Sequence, residues 1–165
     1  MNIVLHQPEI PQNTGNIGRT CVATGTSLHL IRPLGFNTDD KTLKRAGMDY
    51  WKDLDVHYYD NFNDFLAKNP GARIIMATTK ARKTYFDIEY GPDDFIMFGS
   101  EGSGIPEEIL LEHKPNCVRI PMLAEYRSLN LSNSVAVILY EALRQQAFGG
   151  FELKGELHRH SWDEA

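Results

Sequence analysis

Two short segments of uninterrupted apolar residues constrain the fold of this 165-residue chain more than any other feature. Arg73–Thr78 reads Arg-Ile-Ile-Met-Ala-Thr and Asp94–Phe98 reads Asp-Phe-Ile-Met-Phe, so neither alternates between apolar and polar residues. A strand that is apolar throughout is typically covered on both faces, as strands are when helices pack on both sides of a parallel sheet. We therefore expect an α/β fold.

Other short segments continue this pattern on both sides of the two apolar runs. Further strands are predicted at Asn2–His6, Ser27–Arg32, Val56–Tyr59 and Cys117–Ile120. Prolines that follow, at positions 8, 33 and 121, disfavour continuation of three of these strands. Helix-like segments lie between them, so the fold class is α/β with a mostly parallel sheet and helices on both faces.

Four of the predicted helices have recognisable ends or faces. One follows Pro11 and ends before Gly25, a short charged one spans Asp39–Gly47, and one starts at Pro106. The last is capped by Ser132 or Asn133. Its apolar stripe, which suits a core or a subunit interface, consists of Val135, Ile138, Leu139, Ala142 and Leu143.

The length of the chain fits a single domain, which we assign to residues 1–148. Residues 149–165 show no sustained periodicity and are predicted to form a flexible C-terminal tail. Cys21 and Cys117 form no CxxC pair, and no charged and apolar secretion segment begins the chain, which favours the cytoplasm. No apolar run has the roughly 18 residues of a membrane helix.

The net charge of −5 argues against an indiscriminate nucleic-acid binder, because Lys and Arg carry the attraction to phosphate. Basic residues are nevertheless grouped in two places. Lys41, Lys44, Arg45 and Lys52 form one group, and Lys80, Arg82 and Lys83, beside Tyr85 and Phe86, form the other. Each group is either a local RNA-binding patch or ordinary solvated surface, and the sequence leaves both readings open.

Three polar segments that contain glycine or amide residues indicate a ligand site. They span Asn13–Arg19, Phe98–Gly104 and Ser128–Asn133. The last two follow predicted strands and precede predicted helices, which is where α/β proteins bind ligands. Glycine allows close approach to the backbone, and small amides and hydroxyls supply hydrogen bonds, so a polar, nucleotide-like cofactor is expected.

Several other kinds of site lack their sequence signals. The chain has no GxxxxGK[ST] phosphate loop, no GxSxG nucleophile elbow and no GxGxxG after its first strand. Its six histidines show no HExxH or Cys/His spacing, so no metal site is predicted.

Two charged residues within the polar segments are candidates for specific roles. Arg19 can hold a phosphate or carboxylate through two parallel hydrogen bonds, or it can form a surface ion pair. Glu101 can bind a ribose hydroxyl, or it can interact with the N-terminus of the helix that follows. The residues alone do not separate the alternatives for Glu101.

These segments also resemble a known family. Pro8–Thr20, Phe98–Pro106 and the pair Ile120–Met122 and Ser128–Ala136 resemble the three motifs of the SPOUT class of RNA methyltransferases. Within that class the chain is similar to the small TrmL (YibK) type, which methylates the ribose 2′-hydroxyl of the tRNA wobble nucleotide, a cytidine or modified uridine. The resemblance covers about residues 2–148, and three motifs in order make it specific.

The resemblance implies more than the residues do by themselves. It implies a trefoil knot in the C-terminal part of the sheet, S-adenosyl-L-methionine as cofactor without a metal, a homodimer, and the anticodon stem-loop of tRNA as partner. Carried over to this chain, the cofactor-binding residues are Thr78, Thr79, Lys80, Gly99, Ser100, Glu101, Gly104, Ile120, Pro121, Met122, Ser128, Leu129, Asn130 and Ser132. The catalytic residues are Arg19, Asn13, Ser128 and Asn130, and the RNA-binding residues are Arg19, Lys80, Arg82, Lys83 and Arg127.

Two other functions are compatible with the same fold. One is a ribose methyltransferase that acts on rRNA or on another tRNA position. The other is an RNA-binding module that keeps the fold without catalytic turnover.

Overall fold

A computed structural model describes residues 1–37 and 49–163 of the chain. The predicted helix Asp39–Gly47 and the basic residues Lys41, Lys44 and Arg45 lie outside the described residues. Within those residues, seven strands form one sheet in which every paired strand runs parallel to its neighbour.

The strands are β1 (Asn2–His6), β2 (Ser27–Ile31), β3 (Val56–Tyr59), β4 (Ile74–Ala77), β5 (Lys83–Thr84), β6 (Phe95–Phe98) and β7 (Cys117–Arg119). Their order across the sheet is β3-β2-β1-β6-β4-β7-β5. The two apolar runs of the sequence are thus β4 and β6, and they pair with each other near the middle of the sheet. The prediction of a parallel α/β sheet is confirmed.

The described α-helices are α1 (Pro11–Thr24), α2 (Phe62–Lys68), α3 (Glu107–Glu112) and α4 (Leu131–Gln145). Short 3-10 helices span Asp49–Asp53 and Lys114–Asn116. Gly25 follows α1 with a left-handed φ of 62°, and its N–H bonds to the carbonyl of Val22. Glycine adopts this φ without a steric penalty, which explains why α1 ends there, as predicted.

The helices cover both faces of the sheet, as the continuous apolar runs predict. Ile3 and Leu5 of β1 pack in one cluster with buried side chains of α1 and α4. Val4 points to the other face and packs in a second cluster, with Phe65 of α2 and Leu110 of α3. Successive side chains of a strand alternate between faces, so β1 contributes to both cores.

Some boundaries differ from the sequence prediction. β2, β4, β6 and β7 are each one or two residues shorter than predicted, and β5, of only two residues, was not predicted. α3 begins at Glu107, one residue after the predicted start at Pro106. α4 is capped by Asn130, so the predicted cap at Ser132 or Asn133 is wrong. The Asn130 side-chain oxygen accepts the N–H groups of both residues.

The last part of the chain has no regular secondary structure. The ring of Phe151 lies 5.8 Å from that of Phe148 and joins the edge of the first core cluster. Residues 152–163 are exposed and form neither helix nor strand. Among the described residues, no helix has the length and apolar character needed to span a membrane.

Candidate active site

A cavity of about 460 Å³ opens at the carboxyl ends of β4, β6 and β7. Its walls are formed at the ends of these strands and in the segments that follow them, by residues 77–80, 98–105, 118, 120, 122 and 128–131, with residues of α1 and α4. Small-molecule sites usually have about 300–1,000 Å³, and those of parallel α/β sheets lie at this edge. The cavity therefore has the size and position of a cofactor site.

The loop after β6 is folded tightly back on itself. The Gly104 N–H donates to the Ser100 carbonyl over 2.9 Å, and a Cβ at position 99 would lie only 2.0 Å from the Gly104 carbonyl carbon. Gly104 itself has a φ of 73°. No other residue type fits at position 99, and few fit at 104. The glycines thus shape the wall of the cavity.

Glu101, at the tip of this loop, binds the N-terminus of α1. Its carboxylate accepts the N–H of Glu9 at 2.8 Å, the N–H of Ile10 at 3.2 Å and the Nδ2 of Asn13 at 2.8 Å. Glu9 returns the contact, because its own carboxylate accepts the Gly102 N–H at 3.0 Å. The first N–H groups of a helix lack partners within it and favour a negative charge.

Neither sequence-based alternative for Glu101 included this contact. The helix that Glu101 stabilises is α1, about 90 residues earlier in the chain, rather than the one that follows its loop. A carboxylate has about four acceptor positions, of which these three hydrogen bonds occupy three. Glu101 also lines the cavity, so one acceptor position remains for a ligand that binds there.

Asn13 and Asn130 extend the contact into a relay that links the three polar segments. The Nδ2 of Asn130 donates to the Oδ1 of Asn13 over 3.0 Å, while the Nδ2 of Asn13 donates to Glu101. Asn130 uses its own oxygen to accept the Ser132 N–H and hydroxyl at 2.9 and 2.6 Å. Every amide atom in the relay is engaged, which fixes the orientation of both amides.

Most of the residues predicted for the site line the cavity. They are Asn13, Thr78, Thr79, Lys80, Gly99, Ser100, Glu101, Gly104, Ile120, Met122, Ser128, Leu129 and Asn130. Pro121 instead lines a second, more open hollow beside Leu123 and Tyr126, and Ser132 supports Asn130. Sequence reasoning missed three further apolar residues of the wall, Ile10, Leu131 and Ile138. Ile138 carried a signal, since it lies in the apolar stripe of α4.

Arg19 lies outside the cavity. It follows Asn13 by six residues, about 240° around a helix, so the two side chains leave α1 on different faces. Arg19 is exposed, and its guanidinium lies over the ring of Tyr50, 5.0 Å from the ring centre. It forms no ion pair with any described residue. The surface ion pair considered from sequence is therefore absent from the part of the chain that the structure describes.

The other predicted RNA-binding residues are exposed around the mouth of the cavity or at the nearby sheet edge. Lys80 lies 2.7 Å from a carboxylate oxygen of Glu107, and its hydrogen bond lowers the pKa of that carboxyl group. Lys83 donates to the carbonyl of Pro115 over 3.1 Å. Arg82 and Arg127 are paired with no acidic group in residues 1–37 and 49–163.

No cluster of three His, Cys, Asp or Glu side chains suitable for a metal ion occurs in the described ranges. The polar groups around the cavity are backbone groups, amides, hydroxyls, the Lys80 ammonium and the carboxylate of Glu101, which is already hydrogen-bonded. This set suits an organic molecule with many polar atoms better than it suits a metal ion.

The sequence of the chain is similar to those of known methyltransferases. Residues 1–140 match the model of the SpoU rRNA Methylase family. A relative from Methylovorus glucosotrophus, named "tRNA (cytidine(34)-2'-O)-methyltransferase", is 49% identical over 90% of this chain and 97% of its own. A relative from Listeria innocua, named provisionally for the same activity, is 55% identical over 90% of this chain and 89% of its own.

The same likeness extends to solved structures. One of them, described as "Structural insights into the 2-OH methylation of C/U34 on tRNA", superposes with a TM-score of 0.84 and is 44% identical. The match covers 89% of this chain and 96% of that chain.

Proposed function

The chain belongs to the SpoU rRNA methylase family, and on that premise we propose that it is a tRNA 2′-O-methyltransferase. It transfers a methyl group from S-adenosyl-L-methionine to the ribose of the wobble nucleotide, a cytidine or uridine at position 34. The observation that carries the proposal is the cavity, in which three segments far apart in sequence join through Glu101, Asn13 and Asn130. Relatives named for this activity support the choice of substrate.

The residues of the cavity fit the proposed cofactor. Backbone groups of residues 78–80, 98–105 and 128–131 offer hydrogen bonds to amino-acid and ribose groups. Ile120, Leu131 and Ile138 provide an apolar surface for a flat base. The remaining acceptor capacity of Glu101 suits a hydroxyl. S-adenosyl-L-methionine supplies an electrophilic methyl group on a sulfonium, so the protein needs to provide alignment rather than a metal.

Alignment is also the contribution expected from the polar side chains. Asn13 and Asn130 have fixed amides, and Ser128 lies in an exposed loop at the rim. Well-oriented reactants gain about 7–11 kcal/mol over separate ones. The guanidinium of Arg19 carries only hydrogen-bond donors, so it is unsuited to accept the ribose proton. Arg19 instead orients an RNA phosphate and the 2′-oxygen.

We further propose that the active form is a homodimer working in the cytoplasm, where tRNA is available. The stripe that suggested an interface, Val135 to Leu143, is buried in the chain's own core. The exposed side of α4 nevertheless presents Val137 and Tyr140, and Leu123 and Leu129 are exposed beside the cavity. In the proposed dimer, the partner's Arg19 serves the cavity, since the Arg19 of the same chain does not line it.

The test is methyl transfer from labelled S-adenosyl-L-methionine to purified tRNA, followed by mass spectrometry of the digested nucleosides. We expect a single ribose-methylated nucleotide at position 34, with activity unaffected by a metal chelator. Ribosomal RNA is the second substrate to assay, because the matching family is described by rRNA methylation. Methylation of rRNA alone, or at another tRNA position, contradicts the proposal. Cofactor binding without turnover on either RNA indicates a non-catalytic module.

Arg19 variants separate RNA positioning from cofactor binding. Arg19→Ala should leave the affinity for S-adenosyl-L-methionine nearly unchanged while kcat/KM for tRNA falls by about two orders of magnitude or more. Arg19→Lys should rescue little, because an ammonium cannot make two parallel bonds. Lys68→Ala, which removes a cation paired with Asp64 on α2, is the matched control. Wild-type turnover by Arg19→Ala would refute this role.

A further inference from the structure

Phe86 is held at the tip of a closed turn with its ring in solvent. The turn spans Thr84–Asp87, and the Asp87 N–H donates to the Thr84 carbonyl over 3.1 Å. The Asp87 carboxylate accepts the N–H and the hydroxyl of Thr84 at 3.0 and 2.6 Å. Phe86, one of the two central residues, is 53% exposed. The turn is thus fixed by three hydrogen bonds that present an aromatic ring outward.

The base of this turn is attached to the body of the protein on two sides. Tyr85 donates its N–H to the Arg119 carbonyl over 2.9 Å, and the Tyr90 hydroxyl donates to the Tyr85 carbonyl over 2.7 Å. Gln145 of α4 accepts the Tyr90 N–H and donates to the Ile88 carbonyl. The ring of Tyr85 also meets that of Phe86 edge to face, at 5.3 Å. A single exposed aromatic side chain is common on protein surfaces. The hydrogen bonds around Phe86 fix its backbone in advance, which lowers the entropy cost of binding a ligand.

The topology places Phe86 at the same edge of the sheet as the cavity. β5 is the edge strand and runs parallel to β7, with Thr84 opposite Arg119. β7 then continues into Ile120, which lines the cavity. Because parallel strands end on the same side, the end of β5 at Thr84 lies next to the strand that leads into the cavity wall. Phe86 follows Thr84 by two residues and is not one of the residues that line the cavity.

The charges nearby favour a polyanion. Arg82 has no acidic partner among the described residues, and Lys83 contacts only a carbonyl through its ammonium group. Of the acidic residues on the same segment, Asp87 is engaged by Thr84, which leaves Glu89. An exposed aromatic ring with an arginine four residues earlier in the chain offers the two groups with which proteins bind unpaired nucleotides, a ring for the base and a cation for the phosphate.

We propose that Phe86 is a stacking platform for an unpaired base of the RNA, next to the nucleotide whose ribose enters the cavity, with Arg82 on the adjoining phosphate. This inference rests on the proposed function and specifies how the single-stranded loop of the RNA is held. A stacked base is sequence-tolerant, because every base has a flat face. The platform therefore contributes affinity and register, while the identity of the modified base is read elsewhere.

The experiment compares Phe86→Ala, Phe86→Leu and Phe86→Trp with wild type on full-length tRNA and on the isolated anticodon stem-loop. Phe86→Ala and Phe86→Leu should raise KM for the RNA by about 5- to 100-fold, the range of one lost base stack, and Phe86→Trp should retain wild-type KM. Turnover at saturating RNA and affinity for S-adenosyl-L-methionine should stay within about twofold. Leu111→Ala removes a 73% exposed apolar side chain from α3 and is the matched control.

Two further measurements distinguish stacking from other causes. Arg82→Ala should reduce the salt dependence of RNA binding by about one phosphate contact, whereas Phe86→Leu should leave that slope unchanged. Irradiation of a stem-loop carrying 5-bromouridine beside the target nucleotide should link the RNA to the peptide that contains Phe86.

Three outcomes overturn the proposal. Wild-type KM in Phe86→Ala means that no base stacks there, and crosslinks confined to other peptides mean the same. A shift of Phe86→Ala to monomer in light scattering means that a second copy of the chain covers the ring instead. Failure of the wild type to methylate any tRNA would be a failure of the proposed function, since the Phe86 variants are judged only against an active wild type.

Discussion

At position 99 a side chain has no room, because its Cβ would meet the carbonyl carbon of Gly104 and the nitrogen of Ile105 at 2.0 and 2.2 Å. Both are backbone atoms, so Gly99→Ala has to open the loop that forms the cavity wall. We expect a loss of S-adenosyl-L-methionine affinity of at least about tenfold, measured by calorimetry. Gly102→Ala in the same loop is the control, since its Cβ meets no backbone atom and only the end of the Glu9 side chain, at 3.0 Å. Equal affinities for the two variants would contradict this account.

His29 is a buried residue for which the proposed reaction has no use. It lies 2.8 Å from the Tyr59 hydroxyl, 3.2 Å from the Asn2 side-chain oxygen and stacked on His57 at 4.7 Å. Burial, with the nearby His57, lowers the pKa of His29 to about 4. Protons therefore bind the unfolded chain, where the pKa is about 6.5, in preference to the native one.

The free energy of unfolding should consequently fall as pH drops from about 6.5 towards 4. At pH 4.5, His29 should lower the free energy of unfolding by on the order of 2 to 3 kcal/mol relative to pH 7. Denaturant titrations of wild type and His29→Asn between pH 7 and 4.5 test this, and the variant should show a shallower dependence on pH. His6→Asn is a useful comparison, because burial lowers the pKa of His6 as well. An unchanged pH dependence in His29→Asn would mean that His29 binds a proton as readily in the native protein as in the unfolded chain.

The N-terminus of α4 combines a helix cap and a site residue in Asn130, and two substitutions separate these roles. Asn130→Ala removes both, so it should lower the free energy of unfolding by about 1 kcal/mol and reduce turnover. Asn130→Asp keeps the oxygen that caps Ser132 but loses the amide that donates to Asn13. It should therefore retain stability and lose turnover. Thermal unfolding measures the capping role, and methyl-transfer kinetics measure the role in the site. Wild-type turnover in Asn130→Asp would show that catalysis does not need the hydrogen bond from Asn130 to Asn13.

The elements also show what the sequence can and cannot predict. β4 and β6 were predictable because burial on both faces leaves an uninterrupted apolar run. β5 consists of only Lys83 and Thr84, which is too short for a periodic pattern of apolar residues to be recognised. The cavity segments 98–104 and 128–131 were predictable from polar residues that follow strands, whereas residues 78–80, 120 and 122 were predicted only through the family resemblance. The attachment of Glu101 to α1 was not, because a contact between residues about 90 positions apart leaves no local signal. A knot depends on how distant parts of the chain pass one another and likewise leaves no local signal, so the expected knot rests on the family resemblance alone.

At the scale of the whole molecule, the exposed side of α4 bears on the proposed dimer. Val137 and Tyr140 are 37% and 46% exposed, one helical turn apart. Val137→Glu should place a charge in the interface and convert the dimer to a monomer in light scattering, with a loss of activity. Leu111→Glu adds the same charge at an exposed position of α3 and should leave the dimer intact. A fully active Val137→Glu monomer would exclude the homodimer.

The pairing of β1 with β6 affects how the protein is made. Residues 2–5 lie between β2 and a strand at residues 95–98, so β1 waits for about 90 further residues to leave the ribosome before its second neighbour arrives. Contacts so distant in sequence slow folding, and an unpaired apolar strand is prone to aggregate. The walls of the cavity are completed later still, by residues 128–138. The nascent chain therefore exposes the unpaired apolar strand β1 before the cofactor site has formed, so cofactor binding cannot protect it from aggregation at that stage.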